Sequence, residues 1–274
     1  MARYQLTLAY NGAGFFGSQR QAKSAGSTGA AVSRFRTVQG ELETALRKLG
    51  WTGRSVILSG RTDTGVHATG QVASVDLDWS HSEIDLLKAL NAELPADMAV
   101  HQARMVHAKF HPRFDAASRC YRYRLFCQSV RDPIREVFAW RVWPTINSEL
   151  LAGTASLFLG THDFSAFGSP TTPTGSSVRT VMKAQWMRAR DAKDEWHFEV
   201  QADAFLYRMV RRLVFVQVAV AQGRTSAEAV ARSLAEPVPA GKRSEIPAGL
   251  APAHGLTLVE VTYAEQRVEE SNGQ

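Results

Sequence analysis

Two periodicities take turns along this chain, and their order recurs. Tyr4, Leu6, Leu8 and Tyr10 alternate with Gln5, Thr7 and Ala9, the period-two signature of a half-buried strand. Thr37 then offers a helix N-cap, Val38, Leu42, Ala45, Leu46 and Leu49 repeat at helical spacing, and Gly50 closes the run. Strands are predicted over 55–59 and 71–77. A helix capped by Ser82 carries Ile84, Leu87 and Leu90 on one face and stops before Pro95, and 98–106 reads as a further strand. The succession then returns. A strand over 119–126 leads to a helix over 148–159 capped at Asn147 or Ser148, and then to strands over 179–188 and 196–202. Leu206, Met209, Val210, Leu213, Gln217 and Val220 mark a long helix, a short one runs from Ser226 to Leu234, and 256–263 alternates as a last strand.

A β-α-β-β-α-β succession is the ferredoxin-like split pattern. The chain is therefore predicted to be α+β, with two ferredoxin-like halves over 1–106 and 107–264 and a polar tail over 265–274. Their antiparallel sheets are expected to join across a central cleft. The Pro- and Gly-rich stretch 237–255 connects the last helix to the last strand.

Between two strands of the first half stands Ser59-Gly60-Arg61-Thr62-Asp63-Thr64-Gly65-Val66-His67-Ala68. Asp63 lies between two glycines that allow tight bends, with Arg61 two residues before it. A nearby arginine favours the charged form of a carboxylate, and a charged carboxylate fixed on a loop suits a nucleophile or general base. The plain alternative is an ordinary polar turn.

Which reading holds depends on the rest of the chain. At 274 residues it is long enough to bury a sizeable core. No apolar run reaches membrane-spanning length, and the N-terminus enters a strand pattern without a secretory apolar segment. These features predict a cytoplasmic protein without a membrane partner. The net charge of +6 favours a polyanionic partner. Cys120 and Cys127 fall seven apart on one strand, facing opposite ways, so no disulfide is expected between them. Neither the cysteines nor the His67–Asp63 pair supplies a full set of metal ligands, and no metal site is predicted. His162 and Asp163 read as a loop-shaping pair. Gly12, Gly14 and Gly17 match a dinucleotide fingerprint, but no amphipathic helix opens there, so the match is read as coincidental. In the polar stretch 22–36, Lys23, Arg34 and Arg36 belong either to a solvated loop or to a phosphate contact.

Beyond that loop, several motifs stand in one order from Tyr10 to Tyr263: Thr37-Val38-Gln39-Gly40-Glu41-Leu42-Glu43, the Asp63 segment with Gly70-Gln71, Tyr121-Arg122-Tyr123, His162-Asp163-Phe164-Ser165-Ala166-Phe167, Phe205-Leu206-Tyr207-Arg208-Met209-Val210-Arg211, and Ala251-Pro252 followed by Gly255-Leu256. The ordered set resembles the bacterial tRNA pseudouridine synthase A family. The resemblance implies isomerisation of uridine to pseudouridine at positions 38, 39 and 40 of the tRNA anticodon stem-loop, by a homodimer, with no metal or organic cofactor. It implies Asp63 as nucleophile, Tyr121 as the ring that stacks on the target base, and Arg61 as an aid to flipping the nucleotide. It further implies Arg179 as the arginine paired with Asp63, and Leu256 as an apolar wall. Ser18 stands where the family usually has Trp, the 22–36 stretch is longer than usual, and Phe215 replaces a common Gly.

The residues fit that chemistry. The reaction breaks the C1′–N1 bond and joins C5 to C1′, so nothing enters or leaves. One carboxylate serves it, either by attack or by removing a sugar proton to give a glycal; both routes stay open at this point. Extruding the uridine costs a few kcal/mol, which stacking on an aromatic ring offsets by about 1–3 kcal/mol. Read without the resemblance, Tyr121 is an ordinary core aromatic. Arg122, Arg124, Arg208, Arg211 and Arg212 are either a solvated face or contacts to the RNA backbone. Two rivals stand beside the isomerase: a noncatalytic RNA-binding protein on the same scaffold, and a nicotinamide oxidoreductase using the Gly12–Gly17 motif.

Overall fold

The computed structural model describes residues 1–20, 35–172, 174–190, 192–236 and 245–264. Lys23, Arg34, most of the 22–36 stretch, part of the 237–255 connection and the 265–274 tail lie outside the described residues.

The first half of the chain runs β1 (Ala2–Tyr10), α1 (Val38–Lys48), β2 (Ile57–Leu58), β3 (His67–Leu77), α2 (Glu83–Glu93) and β4 (Met98–Val106). The second runs β5 (Ala116–Cys127), β6 (Trp140–Val142), α3 (Ser148–Ser156), β7 (Gly160–Asp163), β8 (Val178–Arg188), β9 (Glu195–Ala202), α4 (Met209–Ala221), α5 (Ala227–Ala235) and β10 (Leu256–Tyr263). Together the strands make one open, mostly antiparallel sheet in the order β4-β1-β3-β10-β5-β9-β8-β7, with β2 beside β3 and β6 beside β5.

Caps set the helix starts. The Thr37 hydroxyl accepts from Gly40 N, Ser82 and Asp85 form a reciprocal capping box, and Asn147 and Ser226 cap α3 and α5. Several boundaries differ from expectation. The strand predicted at 55–59 shrinks to two residues, and β3 starts at His67, four residues early. The helix predicted over 148–159 ends at Ser156, because the chain must turn into β7, and α4 begins at Met209. Strands as short as β6 and β7 carry too few residues for a period to show.

The shortness of β2 fuses the two halves. It covers β3 only at Ala73 and Ser74, leaving His67 and Ala68 free to pair in parallel with Thr257 and Leu258 of β10. On its other edge β10 pairs antiparallel with β5, setting Leu256 against Tyr123 and Leu258 against Tyr121.

Two buried clusters flank this seam. In one, Tyr4, Leu6, Leu8 and Tyr10 of β1 pack with Val38, Leu42 and Leu46 of α1 and Leu86 and Leu90 of α2. In the other, Tyr123, Leu125, Phe198 and Val200 pack with Leu151, Leu213, Val214 and Val230. Tyr121 touches both clusters. Cys120 and Cys127 both lie on β5 as free thiols.

Candidate active site

The segment 59–66 links β2 to β3 and carries Asp63 at the seam. Uncharged hydrogen bonds hold its backbone from three sides. Ser18 N donates to Thr62 O, and Thr62 N returns a bond to the Ser18 hydroxyl at 2.8 Å. The Tyr10 hydroxyl meets Thr62 Oγ1 at 2.9 Å. The buried Gln71 amide donates to Gly60 O and accepts from the Ser59 hydroxyl at 2.7 Å. Val66 N closes a turn onto Asp63 O, and the left-handed φ of +80° at Gly65 lets the chain complete it. Arg119 of β5 donates to Ser59 O at 3.2 Å. Ser18 thus has a local role, as a small buried acceptor beneath the Asp63 turn.

The glycine motif at 12–17 belongs to the same scaffold. Gly12 packs so tightly that a Cβ there would come within 2.1 Å of Val66 O, and its N–H donates to His67 Nδ1. Gly12–Gly14 forms a single 3₁₀ turn instead of opening the α-helix that a dinucleotide site needs. With Nδ1 accepting, the His67 proton sits on Nε2 and is donated to His254 O at 3.0 Å. Burial pushes the His67 pKa down. Its ring is a wedge behind the loop. No group of three or more His, Cys, Asp or Glu is placed to hold a metal among the described residues. His162 and Asp163 also shape the backbone, through Leu159 O and Ser165 N respectively.

Charge reaches Asp63 from α4. Arg211 Nη1 donates to Asp63 Oδ2 at 2.8 Å, and its Nε donates to Ala251 O at 2.8 Å. Both side chains are well shielded from solvent, at 15% and 22% exposure. A charge-assisted bond of this kind contributes about 1.5–3 kcal/mol. Arg179, the arginine expected at Asp63, stands elsewhere: on β8 it pairs with His162 of β7 and donates to the carbonyls of Ser176 and Val178. The structure corrects that assignment to Arg211. Arg211, expected among the RNA-backbone candidates, thus has its guanidinium engaged by Asp63 and Ala251. Arg212, another of that set, holds the 246–249 segment through the carbonyls of Ile246, Pro247 and Gly249, and burial lowers its pKa.

Sequence alone gave one unused signal for Arg211. The first turn of α4 contains Arg211 and Arg212 and no acid. Cations there oppose the helix dipole, so an anion is needed nearby. Arg208, which precedes the helix, holds a left-handed φ of +62°, a strained conformation for a residue with a Cβ. Its exposed side chain lies over the Tyr207 ring.

Asp63, Arg61, Tyr121, Leu256, Arg208 and Arg211 all line one cleft of about 880 Å³. Arg179 is not among its walls. Phe205 meets the Tyr121 ring edge-on, with centroids 5.1 Å apart. Burial raises the Tyr121 pKa, and the nearby Tyr10 and Asp63 add to the rise, so the phenol stays protonated at neutral pH. Leu256 is buried at the cleft floor, and exposed Arg61 stands at its edge. The remaining basic residues separate by partner. Arg36 is bound by Asp97 and Glu41, Arg122 by Glu199 and Arg124 by Glu195.

A lone carboxylate on a braced turn, set in a basic cleft with a protonated phenol and no metal-ligand group among the described residues, is the outline of an enzyme that rearranges a bound polyanion. The tRNA pseudouridine synthase family model matches residues 7–115 and 154–264, and the chain belongs to that family, whose members are isomerases acting on tRNA. It is 42% identical over 266 residues to the tRNA pseudouridine synthase A of Solidesulfovibrio magneticus, covering 96% of this chain and 92% of that protein. The protein of the same name from Methylacidiphilum infernorum is 39% identical over 261 residues, with 95% of each chain covered. That of Limosilactobacillus fermentum is 35% identical over 266 residues, with 96% of each covered. No helix among the described residues is long and apolar enough to cross a membrane.

Proposed function

We propose that this chain isomerises uridine to pseudouridine at positions 38, 39 and 40 of the tRNA anticodon stem-loop, with Asp63 as the nucleophile. The observation that carries the reading is the Asp63–Arg211 pair, set in the cleft that Tyr121 also lines. Arg211 engages Oδ2 alone, and Oδ1 makes no hydrogen bond among the described residues. That oxygen is available to attack the reacting nucleotide or to remove its sugar proton. The uracil must then turn without leaving, and Tyr121 supplies a stacking surface while it does. Because the phenol is protonated, it takes the C5 proton only by passing on its own. Tyr121 lies between the two stretches that the family model matches and is assigned on its position in the cleft.

Residues 1–106 contribute the nucleophile loop and 107–264 complete the pocket. Arg61 and Arg208 contact RNA at the rim, and the enzyme works as a cytoplasmic homodimer without a cofactor. The likeness to full-length relatives of the same name supports this reading.

Mapping pseudouridine in tRNA treated with the purified protein tests it. Product at the anticodon stem-loop is expected, and Asp63→Asn is expected to lower turnover at least about 10³-fold while tRNA affinity stays within about threefold. Tight tRNA binding with no product from the unsubstituted protein would leave a noncatalytic RNA-binding protein as the answer.

A further inference from the structure

At the border of the cleft that holds Asp63 and Tyr121, one further aromatic ring is set in an unusual way. Phe114 is 78% exposed, yet it is not loose. One face stacks on the His111 imidazole, with centroids 4.2 Å apart and planes 25° from parallel. His111 is fixed in turn. Its Nδ1 accepts from the backbone N–H groups of Arg113 and Phe114, and its backbone N–H donates to the Asp115 carboxylate at 2.9 Å. An ordered ring with its second face open to solvent is a platform prepared for another flat group.

Its surroundings say which group. Phe114, Arg113 and Arg61 border the cleft and also a second, smaller cavity of about 290 Å³. Arg61 and Arg113 make no ion pair among the described residues. Arg119 ties the platform to the nucleophile loop, since one guanidinium donates to Arg113 O at 2.6 Å, Ser59 O at 3.2 Å and Asp203 O at 2.8 Å. That guanidinium has no carboxylate partner among the described residues, and burial lowers its pKa. The platform is therefore held at a fixed place relative to Asp63, amid positive charge. A flat ring flanked by a phosphodiester satisfies both features.

We propose that Phe114 stacks on a second, unpaired nucleobase of the same tRNA, next to the target uridine in the strand, with Arg61 and Arg113 bridging to the intervening phosphates. The inference rests on the RNA-modifying reading of the cleft and adds a subsite to it. Holding the neighbour keeps the extruded uridine from restacking and selects substrates whose flanking nucleotide is free to unstack.

The test uses the full-length protein and a tRNA transcript carrying 2-aminopurine beside the converted uridine. Stacking on Phe114 is expected to change the 2-aminopurine fluorescence on binding. Phe114→Ala should abolish that change and raise KM by about 5- to 100-fold, with kcat within about twofold and Tm unaltered, because an exposed ring contributes little packing. Phe114→Tyr, which keeps the ring, should restore both. An unaltered KM and fluorescence response in Phe114→Ala, or no rescue by Tyr, would overturn the proposal while pseudouridine formation by the unsubstituted protein stood. The fluorescence response reads the platform even if no product forms, so the two failures are distinct.

Discussion

Arginine is used in opposite ways on the two faces of β5. On the face away from Tyr121 and Tyr123, arginines and acids alternate as paired partners: Arg122 and Lys183 share Glu199 at 2.6 Å each, Arg124 meets Glu195 at 2.8 Å, and Arg135 meets Asp194 at 2.9 Å. In the cleft, Arg61, Arg113, Arg119 and Arg208 have carbonyls, rings or solvent around them, and no acid in ion-pair reach among the described residues. Two arginines there are paired, Arg211 with Asp63 itself and Arg20 with Glu43 behind the wall. The net charge of +6 is therefore not spread evenly in its effect. Where acids neutralise the arginines, the surface is a stabilised sheet face. Where they are missing, the field is left for phosphate groups.

The sharpest way to break this contrast is to test the arginine paired with Asp63 against the one that the family resemblance implied. Arg211→Ala should lower kcat about 10²-fold by removing a preorganised charge from Asp63. Arg179→Ala, far from that carboxylate's hydrogen bonds, should leave kcat within about threefold. Equal losses in the two variants would mean that the Arg211 contact is not what readies Asp63. Next comes a pair of charge reversals. Arg208→Glu should weaken tRNA binding and reduce the slope of log K against log salt by about one, whereas Arg122→Glu should leave that slope unchanged. A matching drop in both would erase the distinction between the faces.

The smallest effect concerns the uncharged brace behind the loop. Burial depresses the His67 pKa below its ordinary 6.5. As pH falls through 6.5 the unfolded chain takes up a proton that the native state refuses, so stability declines below that pH and is flat above it. In His67→Asn the unfolding free energy should fall less steeply between pH 7 and 5, by at most about 1.4 kcal/mol per pH unit. Parallel profiles in urea melts would show that the native imidazole is protonated after all.

What the sequence disclosed follows the range of each interaction. Thr37, Ser82 and Ser226 cap helices through bonds to residues three positions on, so their starts were legible. The Asp63 turn lies between strands only a few residues away and was legible for the same reason. Arg211 and Asp63 are 148 residues apart, and no local pattern joins them. The family resemblance implied Arg179 instead, which β8 holds beside β7. The parallel pairing of β10 with β3 was equally hidden, because it depends on how little of β3 the two-residue β2 covers.

That strand has a consequence for how the pocket is held together. Residues Leu256–Tyr263 lie in the middle of the sheet, between β3 and β5. Without them, Tyr121 and Asp63 stand on segments with no common neighbour strand. The pocket is therefore a joint made by one strand, and unzipping β10 parts the nucleophile loop from the aromatic ring in a single step.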